Sequence, residues 1–170
     1  RRSCSRMLTL EAPPVSTTFP HTSVLLAEVV AALVRQPGGA YIDATAGAGG
    51  HSLALLQAAG PTARLLSLDA DPYALELATA RLKDAPGEHR LHRANFRHIA
   101  EVAAAEGFEP VDGVLMDLGI SSMQLDLEGR GFSFNDTADL GMSFDPDQPF
   151  TADDLVNHTP EQDRKSTRLN

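Results

Sequence analysis

Residues 43–52 read DATAGAGGHS and combine an acid, a run of small residues and an imidazole. Three glycines, Gly47, Gly49 and Gly50, fall within four positions, which indicates a backbone that turns sharply or lets another group come very close. His51 follows them directly. An imidazole at this place suits a hydrogen bond to a bound ligand, and capping or packing of the next helix is the alternative interpretation.

Two more acids close apolar runs further along the chain. Asp69 ends ARLLSLD and lies nineteen residues after Gly50. Rossmann-like proteins place the acid that binds ribose hydroxyls about 20 residues after such a loop. Asp117 ends VDGVLMD in the same way. Together with Asp43, these acids predict a rim that binds a nucleoside-containing cofactor.

Alternating apolar patterns predict the elements that must position these residues. The predicted strands are 40–45, 63–69, 89–96 and 111–119, and the predicted helices are 21–34, 50–60, 73–82, 99–108 and 151–158. Thr22 or Ser23 would cap the first helix, and Asp71 with Pro72 would begin the third. The alternation predicts an α/β fold, a doubly wound, Rossmann-like parallel sheet with strand order 3-2-1-4, whose carboxyl edge collects the acids.

The expected organisation has four parts. Residues 1–19 are predicted to be a disordered tail, 20–119 a cofactor-binding core, 120–163 a substrate loop with the start of an inserted subdomain, and 164–170 a non-native tail. In this arrangement the fourth strand is an exposed, apolar sheet edge. Such an edge predicts poor solubility for these 170 residues.

Composition narrows the class of protein. No apolar run approaches the roughly 20 residues of a membrane span, and no secretory signal is visible, so we expect a cytoplasmic protein. The single cysteine, Cys4, and the scattered histidines predict neither a disulfide nor a metal site. The net charge is −9, but 81–98 is locally basic. That segment permits an anionic partner, although an ordinary solvated face is the simpler interpretation.

The loop favours one cofactor class over another. A dinucleotide site takes a small residue at the last position of its glycine motif, where this chain has Ser52 beside the bulky His51. An acidic rim would also repel a diphosphate. Asp43 and Asp117 instead suit a cationic sulfonium, which favours S-adenosylmethionine. An NAD(P)-linked oxidoreductase remains the second interpretation.

Several motifs in one order and spacing carry a family resemblance: HTSVLLAEV, YIDATAGAGGHS, LDADPYA, ANF, VDGVLMDLGISSMQLD and RGFSF. Over about residues 21–145 the chain resembles the bacterial 16S ribosomal RNA (cytosine-N4-)-methyltransferase family. The resemblance implies an S-adenosylmethionine-dependent class I methyltransferase that modifies the exocyclic N4 of a cytidine in the small ribosomal subunit. It also implies site roles for Gly49, Gly50 and His51 (methionine part), Asp69 (ribose), Phe96 (adenine), and Asp117 and Gln124 (cofactor).

The resemblance leaves the catalytic group open between two roles. Asp117 is either the carboxylate that accepts a hydrogen of N4, an effect of about 10²–10⁴-fold, or a cofactor ligand only. Ser121 and Ser122 would bond the base edge or cap the loop. Phe132 and Phe134 would stack on the extruded base or form one face of a strand, and Arg130 would contact phosphate.

The chain also departs from the family pattern. Ala46 and Met123 stand where the family usually has Phe and Pro, and ADLGMSFD replaces a PLDMRMD-like run. The chain ends about midway through the family's length, so a non-catalytic fragment that only binds the cofactor is a third interpretation.

Overall fold

A computed structural model describes residues 23–120, 125, 131–133 and 139–160. Within them the chain forms a four-stranded sheet. Its strands are β1 (Ala40–Asp43), β2 (Arg64–Asp69), β3 (Glu88–Arg93) and β4 (Gly113–Leu115), all parallel and in the order β3-β2-β1-β4. The predicted parallel sheet and its strand order are therefore confirmed.

The helices of the described residues cover both faces of this sheet. They are α1 (Leu26–Leu33), α2 (Gly50–Ala59), α3 (Pro72–Leu82), α4 (Ile99–Glu106) and α5 (Ala152–His158), with a 3₁₀ turn at Phe96–His98. None of them is long and apolar enough to cross a membrane. Alternate strand residues supply the two cores. Tyr41 and Leu65 pack with the α1 and α2 side, whereas Ile42 and Leu66 pack with the α4 side.

Local signals fixed several element ends correctly. Asp71 caps α3 by accepting a hydrogen bond from the Tyr73 amide at 3.0 Å, as the Asp71–Pro72 pair predicts. Gly60 ends α2 with a positive φ of 85°. Thr151 begins α5 with a capping box that includes Asp154. In each case the signal acts within a few residues of its own position, which is why short-range pattern was sufficient.

Other boundaries were wrong, for tertiary reasons. The predicted cap of α1 at Ser23 is not found, because the helix begins after Leu25, whose backbone is left-handed with φ 50° and which makes no side-chain cap bond. Thr22 lies outside the described residues. The third strand ends at Arg93, since Asn95 accepts from the Arg97 amide and starts the 3₁₀ turn.

The fourth strand is shorter than expected. It pairs only over Gly113–Leu115, with β1, rather than over 111–119. Among the described residues it lies at one edge of the sheet, where Val114 is 41% exposed while Leu115 is packed in the core. The opposite edge, β3, is polar because its side chains form surface ion pairs such as Arg90 with Glu106.

Candidate cofactor site

The buried acid at the carboxyl end of β1, Asp43, is hydrogen-bonded to residues before and after the glycines of the loop. Asp43 is 0% exposed. Its carboxylate accepts from the Ser52 hydroxyl at 2.7 Å and from the Thr45 amide at 3.1 Å. Burial raises the pKa of Asp43, against the lowering effect of these hydrogen bonds. Asp43 therefore joins β1, the loop and α2, and it does not reach a ligand surface as the sequence argument for a sulfonium contact expected.

The position of Ser52 shows that the sequence argument against a dinucleotide cofactor was wrong on this point. Its hydroxyl lies 2.9 Å from the hydroxyl of Ser67 on β2, and the residue is completely buried. A serine here thus brings α2 close to both central strands, which is the task of the small residue in a dinucleotide motif. The side chain of Ser52 does not argue against a dinucleotide, and the preference for S-adenosylmethionine rests on the acids and on the family.

Asp69, at the end of β2, is tied to the loop. One carboxylate oxygen accepts from the Gly47 amide at 2.8 Å and the other accepts from the Asp71 amide at 2.9 Å. Burial raises the pKa of Asp69, and these backbone bonds oppose the rise. A carboxylate has about four lone-pair sites. Asp69 therefore keeps acceptor capacity at the carboxyl edge, where ribose hydroxyls would be bound.

The next two glycines lie where the chain packs closely on itself. Gly49 has φ 77°, and a Cβ there would lie 3.1 Å from the Cα of Ala78 on α3. At Gly50 a Cβ would collide with the hydroxyl of Ser23 and would lie 3.0 Å from a guanidinium nitrogen of Arg81. These close approaches place α3 and the residues before α1 against the start of α2.

His51 lies at the carboxyl edge of the sheet, between the residues before α1 and the residues after β4. The residue is 6% exposed. Its Nε2 is 3.0 Å from the carbonyl oxygen of Val24, and its Nδ1 is 4.0 Å from Oδ2 of Asp117. The imidazole is therefore packed, as one interpretation of the sequence held, and its Nδ1 faces the carboxylate of Asp117.

Asp117 is the accessible acid of the site. Its side chain is 53% exposed. The backbone amide of Asp117 donates to the Thr45 hydroxyl at 2.8 Å, and the Ala44 amide donates to the Leu115 carbonyl at 2.9 Å. These two bonds fix where the chain leaves β4. Thr45 was missed by the sequence analysis, although its position between Asp43 and the glycines was a usable signal.

Phe96 lies just past the end of β3 and is 43% exposed, so its ring has an open face. Nearby on the chain, Arg93 contacts Asp145 and Asp147, each at 2.6 Å. These ion pairs attach the ADLGMSFD segment and the residues after it to the β3 edge. The charge on Arg93, part of the basic segment 81–98, is thus largely matched within the chain.

The remaining predicted contacts divide into two groups. Phe132 packs against Phe144 with ring centroids 5.4 Å apart, so one of its neighbours is already supplied by the chain. The other predicted positions lie outside the described residues: Gln124, Ser121, Ser122, Met123, Arg130 and Phe134. Within the described ranges no group of three or more His, Cys, Asp or Glu is placed to hold a metal ion.

This architecture defines a class. An open, doubly wound parallel sheet with a glycine loop after its first strand and an acid after its second is the arrangement of Rossmann-like proteins that bind nucleosides. Its acceptor-rich edge fits a ligand that carries hydroxyl and amine hydrogens.

The chain belongs to the MraW methylase family, whose model matches residues 18–166. It is 46% identical to a Dehalococcoides mccartyi protein over 139 residues, which cover 82% of this chain and 40% of that protein. It is also 46% identical to proteins from Symbiobacterium thermophilum (85% of this chain, 46% of that protein) and Thermomicrobium roseum (85% and 44%). All three are named ribosomal RNA small subunit methyltransferase H. The chain spans less than half the length of these relatives.

Proposed function

We propose that this chain forms the cofactor-binding part of an S-adenosylmethionine-dependent methyltransferase acting on the exocyclic N4 of a cytidine in 16S ribosomal RNA of the small subunit, in the cytoplasm. The observation that carries the proposal is the joint placement of Asp69, His51 and Asp117 at one edge of the sheet. Membership of the methylase family and the names of the relatives support the reaction class and the RNA substrate.

Different residues would bind different parts of the cofactor. Asp69 would accept from the ribose hydroxyls with the lone pairs that Gly47 and Asp71 leave open. Phe96 would pack on the adenine, and the loop at Gly49 and Gly50, with His51, would meet the methionine part. The cofactor contact expected of Gln124 belongs to the same proposal, and Gln124 lies outside the described residues. When bound, the cofactor would supply an electrophilic methyl group.

Asp117 is the proposed catalytic residue. The N4 nitrogen of cytosine is a weak nucleophile, because its lone pair is delocalised into the ring. A carboxylate that accepts a hydrogen bond from N4 directs that nitrogen and takes up the proton it must lose. Asp117 suits this role because its side chain is open while its backbone is fixed by Thr45. Orientation of this kind contributes up to about 7–11 kcal/mol in well-aligned reactions.

Calorimetric titration of the chain with S-adenosylmethionine, with NADH as control, tests the cofactor. We expect binding of the first compound only, weakened by about 1–3 kcal/mol in Asp69→Ala, because a hydrogen-bonded ribose would lose its acceptor. Asp112→Ala is the matched control, since Asp112 accepts from the Ala40 amide at the amino ends of β1 and β4, away from the carboxyl ends that form the site. NADH binding, or equal affinity of the two variants, would contradict the proposal.

Methyl transfer to small subunits that lack the modification tests the reaction separately. Transfer by the wild-type chain that is lost in Asp117→Asn, with S-adenosylmethionine binding retained, would support the catalytic role of Asp117. Cofactor binding without transfer would favour the alternative that these 170 residues bind the cofactor without catalysing the reaction.

A further inference from the structure

The arginines along β2 and β3 are neutralised by acids of the same chain. These ion pairs join Arg64 to Glu88, Arg90 to Glu88 and Glu106, and Arg93 to Asp145 and Asp147. Elsewhere in the described ranges, the exposed side chains of Arg35, Lys83 and Arg97 form no ion pair. A surface charge that no acid of the chain matches is available to an anionic partner.

Arg97 is the member of this group that follows the carboxyl end of a strand. It lies in the 3₁₀ turn after β3, and its backbone amide donates to Oδ1 of Asn95 at 3.0 Å. The next acid along the chain, Glu101, is engaged by Nδ1 of His98 at 2.9 Å. An exposed guanidinium on a fixed backbone, with its charge unmatched by the described residues, therefore stands at the edge that carries the candidate cofactor site.

The proposed cofactor supplies no anion for Arg97. Its one carboxylate belongs to the methionine part, which the proposed function places at Gly49, Gly50 and His51 after β1. The adenine, which it places on Phe96 beside Arg97, is uncharged. The charge of Arg97 is therefore left for another ligand of the same reaction, and the phosphates of the RNA substrate are anions of this kind.

We propose that Arg97 binds a backbone phosphate of the substrate RNA and so holds a single-stranded part of that RNA along the carboxyl edge of the sheet. This inference rests on the proposed function and adds the residue that receives the backbone of its substrate. A phosphate contact fixes the register of a nucleic acid without reading its bases. Arg97 therefore contributes affinity, while recognition of the cytosine is left to the residues around Asp117.

The acid at the other end of this edge favours the same path for the RNA. Asp117, beyond β4, has an open carboxylate that would repel a phosphate. The ends of β4 and β3 are three strand spacings apart, or roughly 14 Å. An uncharged base can therefore lie at Asp117 while a phosphate of a neighbouring nucleotide lies at Arg97, where the charge is positive.

Binding of RNA at varied salt concentration tests this contact without requiring methyl transfer. The probe is a fluorescent, single-stranded oligoribonucleotide that contains cytidine, added with saturating S-adenosylhomocysteine and measured by anisotropy over a series of KCl concentrations. We expect Arg97→Gln to bind about tenfold more weakly than the wild type at low salt. The slope of log K against log salt should also fall in magnitude by about 0.7, the value for one phosphate contact on a single strand.

Arg35→Gln is the matched control, because it removes the same charge at the amino edge of the sheet. Arg35 is exposed and follows α1, whose Leu33 approaches Gly113 at the start of β4. We expect its RNA affinity and salt slope to match the wild type. Equal losses in Arg35→Gln and Arg97→Gln would reflect net charge alone and would overturn the inference.

A charge-conserving variant separates the phosphate contact from a structural effect. Lysine binds phosphate as a point charge, so Arg97→Lys should retain the salt slope of the wild type and most of its affinity. A slope as low as that of Arg97→Gln would show that the charge is not the cause. Calorimetric titration should give the same affinity for S-adenosylhomocysteine in wild type and Arg97→Gln. Weaker cofactor binding with unchanged RNA binding would assign Arg97 to the cofactor and overturn the inference.

The outcomes also separate this inference from the proposed function. If the wild-type chain binds S-adenosylhomocysteine but its RNA binding is absent or independent of Arg97, the phosphate contact is overturned and the cofactor assignment stands. If the chain binds RNA through Arg97 but does not bind S-adenosylhomocysteine, the phosphate contact stands and the proposed cofactor is contradicted.

Discussion

The carboxyl ends of β1 and β4 are neighbours in the sheet, yet they treat their acids in opposite ways. Asp43, after β1, is fully buried and bonded to Ser52 and to the Thr45 amide. Asp117, beyond β4, leaves its carboxylate half open, 4.0 Å from Nδ1 of His51, and its backbone amide is bonded to Thr45. Thr45 links the two ends, because its amide bonds Asp43 and its hydroxyl bonds the Asp117 amide.

The difference gives the two acids different roles: Asp43 supports the loop, whereas Asp117 is open to a ligand. A fully buried carboxylate orders the loop but is not accessible to a ligand. An exposed carboxylate on a fixed backbone keeps its lone pairs for the ligand, and its position is still defined. Acids that look equivalent in the sequence therefore serve different purposes, and substitutions at the two ends should have different consequences.

The largest effect should come from removing the buried acid. Asp43→Ala leaves the Thr45 amide unpaired in the interior and frees the Ser52 hydroxyl, so we expect a loss of about 3 kcal/mol in the free energy of unfolding. Asp43→Asn, which retains an acceptor for Thr45, should lose less than about 1 kcal/mol. Urea unfolding of both variants measures this. A similar loss in the two would show that the hydrogen bonds are not the cause.

Comparison of Asp43→Asn with the wild type also predicts how the free energy of unfolding changes with pH. Because the pKa of Asp43 is raised by burial, the folded state binds more protons than the unfolded state between the ordinary and the raised value. Stability from this group therefore falls as pH rises through that window. The stability difference between Asp43→Asn and wild type should shift in favour of the variant as pH rises. A constant difference across the acidic range would contradict it.

The glycine loop should be the next most sensitive feature. Gly49→Ala adds both a strained φ of 77° and a Cβ against Ala78, for an expected loss of about 2 kcal/mol. Gly107→Ala is the matched control, since Gly107 has φ 69° but no atom within 4 Å of its Cβ position. It should lose about 1 kcal/mol, from backbone strain alone. Equal thermal shifts would mean that α3 does not constrain the loop.

A smaller effect should follow from cutting the link between the two ends. Thr45→Val removes the acceptor for the Asp117 amide, and we expect a loss of about 1 kcal/mol in the free energy of unfolding, measured by urea unfolding. Thr45→Ser retains the hydroxyl and should behave like the wild type. If Thr45→Val were as stable as the wild type, the chain after β4 would be held by something other than the Thr45 hydroxyl.

The smallest change in stability, within about 0.5 kcal/mol, is expected at the open edge. Val114 is partly exposed on β4, and Val114→Lys places a charge where an apolar edge invites pairing with another chain. Sedimentation at rising concentration should show less self-association in the variant. A monodisperse wild-type chain that melts cooperatively would contradict the expectation of a sticky edge.

Much of the fold followed from short-range pattern. The strand end at Asp69, the cap at Asp71 and the glycine stop at Gly60 all depend on residues close by in the chain, whereas the first strand ends at Asp43, two residues before its predicted end. The strand order followed from the usual topology of alternating strands and helices. The length of β4 did not, because pairing depends on what lies beside a strand as well as on its own residues.

The roles of the site residues also divide into those that local sequence predicts and those that depend on tertiary contacts. By itself the sequence determined the fold class and placed three acids, a glycine loop and a histidine at one sheet edge, because periodicity and strand ends are local properties. Only the tertiary structure decided that Asp43 supports the loop while Asp117 stays open, and that Val24 directs His51. Those assignments depend on burial and on contacts between residues such as Thr45 and Asp117, 72 positions apart, which no local pattern records.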